Sequence, residues 1–219
     1  MNWLDRLNRR FGRFGIPYLM NAILIGQAAV WFVTMFVNAR VYSLLTLNLA
    51  GLQHLQLWRL VSFVFVPPLT TSLLGIAVHL YFLWWLGNAL EHAWGDFRFT
   101  VFWLVGMIGA ILGCLISGGG STSGILFSLF CAYAWLWPDN QIFLFFFIPV
   151  KVKWIGWVAG GLWLLQLVGA ILRLDLVSVC SLLFGLAGFL VFFGPELFFW
   201  CRDSIVSYKR RRDWKNKWK

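Results

Sequence analysis

FTVFWLVGMIGAILGCLI, residues 99–116, runs for 18 residues without a charge, and Arg98 stands immediately before it. A helix crossing a bilayer needs about 20 mostly apolar residues. Working outward from this stretch, comparable runs cover residues 16–37, 69–90, 121–137, 152–172 and 176–199. The expected fold is an all-α membrane protein with six transmembrane helices. The run at 121–137 is short, and Pro138-Asp139-Asn140 stops it. The apolar stretch 142–147 is limited by Pro149, and it is expected to continue or border the fourth span at the membrane interface, or to re-enter.

Composition sets the same class. The chain has 219 residues, 61% hydrophobic and 12% charged, whereas soluble domains run near 45–50% apolar and roughly 25% charged. A single soluble core cannot bury so much apolar side chain. Aromatic residues make up 19%, and Trp58, Trp94, Trp135, Trp137, Trp154 and Trp200 lie at the ends of apolar runs. There an indole finds both lipid and water.

The net charge is +10, but its placement argues against nucleic acid. Of 18 basic residues, eight follow residue 200 and four precede residue 14. Basic clusters flanking apolar spans are cytoplasmic anchors on anionic lipid. With both termini inside, 15 basic residues lie on the inner side, while Arg40, Arg59 and Arg173 lie outside. An odd number of spans would put one basic tail on the wrong side. The expected organisation is a basic cytoplasmic tail (1–15), a membrane domain (16–200) with a long outer loop (38–68), and a second basic cytoplasmic tail (201–219). The expected location is a bacterial cytoplasmic (inner) membrane.

Cys114, Cys131, Cys180 and Cys201 sit within or at the ends of apolar runs, with no CxxC and no His/Cys cluster at metal-ligand spacing. Neither a metal nor a cofactor is expected. The basic stretch before residue 14 leads into a full-length apolar run without a small-x-small cleavage site, so the first span is expected to be retained. Loop 38–68 interleaves Leu45, Leu47, Leu49, Leu52, Leu55 and Leu57 with Gln53, His54, Gln56 and Arg59, as short amphipathic pieces in the interface would. Gly109-x3-Gly113, Gly120-x3-Gly124, Gly156-x3-Gly160 and Ser181-x3-Gly185 have the spacing that lets helices approach closely in lipid.

Five local patterns, in order, resemble the rhomboid superfamily of intramembrane serine proteases and their inactive relatives. Trp58-Arg59 closes the outer loop. Leu86-Gly87-x3-Glu91-x3-Gly95-x2-Arg98 is similar to a Gly-x3-Glu-x3-Gly signature. Ser123-Gly124 stands where the family has Gly-x-Ser-Gly. Ile148–Trp154 resembles the loop before span five, and Leu182-Leu183-Phe184-Gly185 resembles the later half of a His-x-Gly-Gly-x3-Gly pattern.

The resemblance implies a serine nucleophile, a histidine base on span six, and an oxyanion hole partly built by a His and an Asn on span two. Carried over, the nucleophile is Ser123, but Ser121 replaces the first glycine of its motif. The base position, seven residues before Gly185, is Ser178. The oxyanion His and Asn positions are Gly75 and His79. Ser123 thus remains and the span-six imidazole is missing. His79 is the one histidine that the family geometry would bring near Ser123, and an ionisable group inside a span is a functional candidate. Against this, His79 can bond a neighbouring helix, and Ser123 can cap its own.

Three readings follow. The leading one is a catalytically impaired pseudoprotease whose partners are membrane lipid and the transmembrane helices of client proteins. The second is an active intramembrane serine protease using Ser123 with His79. The third is a small transporter or channel, which would be expected to show internal repeats and midplane charges. Arg59 is expected to bond loop carbonyls, Glu91 to cap or to pair with Arg98, and Asp175 to pair with Arg173.

Overall fold

The structure is a computed structural model that describes residues 15–68, 72–144 and 148–194. Both basic tails therefore lie outside the described residues, apart from Gly15, which ends the first. Among the described residues, four helices are long and apolar enough to cross a membrane: α1 (Leu19–Phe36), α5 (Leu73–Trp94), α6 (Asp96–Ser117) and α8 (Val152–Leu172). Between α1 and α5 the loop folds into α2 (Arg40–Leu45), β1 (Leu47–Asn48), α3 (Leu49–Gln53), α4 (Arg59–Ser62) and a 3₁₀ turn, Phe63–Phe65. After α6 come β2 (Gly119–Gly120), α7 (Ser123–Leu136), β3 (Gln141–Leu144) and β4 (Ile148–Lys151).

The sixth apolar run is not one straight helix. It forms α9 (Leu176–Gly185) and α10 (Ala187–Gly194), bent by 60°. A break of this kind orphans amides of the next turn. Ser128 on α7, fully buried, meets one of them: its Oγ accepts the Phe189 N–H at 2.7 Å. Counted as one broken span, the pair gives five candidate spans, with the 14-residue apolar α7 beside them.

Of the alternatives for the stretch 142–147, a helical continuation of the fourth span does not form: Gln141–Leu144 and Ile148–Lys151 are strands. β3 and β4 pair antiparallel, with Gln141 opposite Lys151 and Leu144 opposite Ile148. Pro138 ends α7, and the run of β-branched and aromatic residues favours strand over helix. Residues 145–147 of that stretch lie outside the described residues.

The core gathers where α1, α5, α6 and α7 meet: Met20, Ile23, Leu83, Leu86, Leu90, Phe99, Phe102, Ile125 and Leu129 are all buried. Glycines set the closest crossings. A Cβ on Gly124 of α7 would stand 2.6 Å from the Cα of Gly185 on α9. Gly109 of α6 meets the Phe184 carbonyl, and Gly156 of α8 meets Ala134, whereas Gly160 has open space around it.

Candidate functional site

Ser123 is the first residue of α7. A helix of 14 residues is about 21 Å long, shorter than the roughly 30 Å hydrocarbon core. By itself a helix of this length does not cover that thickness. The turn before Ser123 is held from the loop between α1 and α5 by a two-residue ladder, Leu47 opposite Gly120 and Asn48 opposite Gly119. The Leu49 N–H also donates to the Gly118 carbonyl at 2.8 Å. Thr122, buried, donates its hydroxyl to the Val66 carbonyl at 3.2 Å.

Arg59 organises the loop that carries this ladder. It is 5% exposed. Its guanidinium donates to the Ser43 carbonyl at 2.7 Å, the Thr46 carbonyl at 2.6 Å and Gln56 Oε1 at 2.6 Å. A planar cation with several fixed donors suits such a set of diverging acceptors. Trp58 beside it is exposed, and its indole N–H reaches toward the Leu44 carbonyl at 3.4 Å. At the far end of α5, Glu91 Oε1 accepts the Leu19 N–H at 2.9 Å. A carboxylate from another helix thereby caps α1, whose own N-cap residue Tyr18 makes no side-chain cap bond. Gly95 joins α5 to α6 at φ 79° and ψ 161°, a conformation open to glycine.

Ser123 stands between two cavities. The larger, about 670 Å³, brings Ser121, Ser123 and Gly124 opposite Trp163 and Gln166 of α8 and Ser181 and Gly185 of α9. The smaller, about 260 Å³, is lined by Ser123, Thr122, Tyr42, Thr46 and His79. Ser121 Oγ, from the place of the motif's first glycine, lies 3.1 Å from Ser123 Oγ.

His79 shares the smaller cavity with Ser123, but its ring bond runs elsewhere. Nε2 lies 3.1 Å from Gln27 Oε1. Gln27 is fully buried on α1, and its amide donates to the Val64 carbonyl at 3.0 Å. That donation makes Oε1 the acceptor, so the histidine tautomer follows from the network: Nε2–H donates. Only Nδ1 then keeps a lone pair for any proton transfer.

On α9, Ser178 lines neither cavity. Its amide donates to Asp175 Oδ1 at 3.1 Å and its hydroxyl to Asp175 Oδ2 at 2.6 Å, an N-terminal cap. The Ser178 hydroxyl and amide hold the Asp175 carboxyl below its usual range. The hydroxyl of α9 that shares a cavity with Ser123 belongs to Ser181, one turn further on. Gly75, at the oxyanion histidine position, sits in the first turn of α5, where its N–H donates to Ser72 Oγ at 3.3 Å.

Sequence reading thus named Ser123 and His79, which share a cavity, and Ser178, which lines neither of the two cavities. It missed Gln27, and it took Ser181 only as a packing residue. A buried amide in an otherwise apolar span was the available signal for Gln27. Among the described residues no group of three or more His, Cys, Asp or Glu could hold a metal. The family model described as Rhomboid domain matches residues 54–196, about two thirds of the chain. No curated protein matches it.

Proposed function

Because the chain belongs to the rhomboid family, we propose that it is a non-catalytic member, a pseudoprotease that binds transmembrane segments of client proteins. It does so as a multi-pass integral membrane protein of a bacterial cytoplasmic membrane, with six spans and both termini inside. The observation that carries this reading is at the family's base position, which holds Ser178, committed to Asp175; the imidazole that shares a cavity with Ser123 comes instead from α5 and bonds Gln27. A serine nucleophile without a base is slow; losing one member of such a pair costs on the order of 10⁶ in rate in a soluble analogue. The larger cavity keeps hydroxyls and an amide among apolar walls, a setting for a helix that carries a polar residue. The six-span count rests on α7 and on the α9–α10 pair each crossing once. The orientation rests on the 15 to 3 division of basic residues.

One observation favours a second reading, an active protease: Ser123 and His79 line one cavity, and His79 Nδ1 is the nitrogen left to act as base. Purified protein incubated with a fluorophosphonate probe separates the two. The expected result is no labelling beyond that of Ser123→Ala, together with retained co-purification of a transmembrane peptide. Labelling that vanishes in both Ser123→Ala and His79→Ala would establish the protease instead.

A further inference from the structure

The larger cavity holds two polar side chains that the family motifs do not use. Gln166 of α8 and Ser181 of α9 line it together with Ser121 and Ser123. The hydroxyls of Ser121 and Ser123 bond one another at 3.1 Å. Neither the Gln166 nor the Ser181 side chain has a hydrogen bond to any of the described residues. Each stands about one and a half helical turns, roughly 8 Å, from the turn that joins α8 to α9. The two therefore meet one space at matching distances from the same end of the helix pair. Apolar groups surround them: Phe127 of α7 and Trp163 of α8, both lining the cavity, stack with ring centroids 6.5 Å apart. No charged residue lines it.

Volume decides how much of an occupant enters. A spanning helix, about 10 Å wide and 30 Å long, fills roughly 2,400 Å³, whereas the cavity measures about 670 Å³. Side chains from one face of a bound helix fit it, and the helix axis stays outside. Polarity decides which side chain. An apolar one expels water from Gln166 and Ser181 and leaves both unpaired, which loses affinity. A carboxylate or an ammonium finds no opposite charge among the lining residues, and a buried unpaired charge is costlier still. A carboxamide brings two donors and an acceptor without a charge. It can exchange two bonds with the Gln166 amide, or accept from the Ser181 hydroxyl while donating to the Gln166 carbonyl. A lone hydroxyl makes fewer of these bonds.

We infer that Gln166 and Ser181 form a subsite for a neutral amide side chain, Asn or Gln, carried by the bound transmembrane segment roughly 8 Å from the membrane end of the α8–α9 turn. The assignment rests on the client-binding reading and names the residue that the segment brings to the site.

The test uses the full chain fused at its C-terminus to a fluorescent protein, in vesicles of phosphatidylcholine with phosphatidylglycerol. Dye-labelled Leu/Ala transmembrane peptides carry one guest residue, Asn, Leu or Asp, at that distance from the same end, and energy transfer reads binding. Interhelical hydrogen bonds in lipid predict that the Asn peptide binds about 3- to 20-fold tighter than the Leu peptide, with the Asp peptide no tighter than Leu. Gln166→Leu with Ser181→Ala is expected to lower Asn binding to the Leu level; each single substitution, expected to remove part of the preference, is used if the pair fails to fold. Equal binding of Asn and Leu would overturn the inference, as would a preference that survives both substitutions or one that persists with Asn moved to the peptide centre. Tighter binding of Asp would overturn the neutral-amide class. Energy transfer between two copies of the chain that Gln166→Leu abolishes would assign the subsite to self-association instead. Binding of none of the peptides would remove the client-binding reading itself, whereas binding without amide preference removes only this subsite.

Discussion

Arg59 shows how one side chain can hold a loop that has no core of its own. Its three bonds gather α2, the β1 entry and the turn before α4, and β1 in turn pairs with the turn that leads to Ser123. Arg59→Leu leaves the Ser43 and Thr46 carbonyls without their buried donor, at about 1–3 kcal/mol for each unmade bond. A marked drop in the thermal unfolding midpoint in detergent is expected. Arg59→Lys is expected to recover part of the loss, because an ammonium reaches one or two acceptors but lacks the fixed fork. Equal midpoints for all three proteins would remove this role. Gln27 acts at the same scale. Gln27→Leu frees His79 Nε2 and leaves the Val64 carbonyl unpaired. The expected outcome is lower stability with no gain of fluorophosphonate labelling; labelling that appears would show that Gln27 had been suppressing a dyad.

At the scale of elements, the crossing of α7 with α9 decides what shares the larger cavity with Ser123. Gly124 and Gly185 permit it, and two effects compete when Gly124 becomes Ala. Helix propensity gains about 1 kcal/mol. The added Cβ, however, would stand 2.6 Å from a backbone atom of Gly185, which cannot yield as the end of a flexible side chain can. Overpacking of this kind costs about 1–3 kcal/mol, so a net loss is expected for Gly124→Ala and a larger one for Gly124→Val. Thermal unfolding of the two variants reads the order directly, and a more stable Gly124→Ala would show that the helices part without cost. The bend between α9 and α10 belongs to the same scale, since Ser128 of α7 satisfies the amide that the bend releases.

For the whole molecule, what matters is which loops share a side. The 15 basic residues assigned inside include Arg98, Lys151 and Lys153 as well as both tails. Reporter fusions give the check: a phosphatase that matures only outside is expected to be inactive when joined after residue 140 or residue 219. It is expected to be active when joined after residue 46 or residue 174. Activity after residue 140 would overturn the six-span arrangement, because it would leave α7 without a crossing.

What the sequence by itself determined is what composition and local order carry. Uncharged runs of span length exclude a soluble fold, and the ordered Trp-Arg, Gly-Glu-Gly and Ser-Gly patterns point to the rhomboid family, which the match over residues 54–196 supports. These signals are local, so they survive without coordinates. Partners across 50 or more residues are another matter. That His79 bonds Gln27, 52 residues away, and that Ser181 rather than Ser178 shares a cavity with Ser123, depend on how each helix is rotated about its axis. An apolar run bathed in lipid has no single wet face to fix that rotation. The stretch 142–147 shows the same limit from the other side. A short apolar run reads equally well as a helix end or as a strand, and the pairing of β3 with β4 decided it.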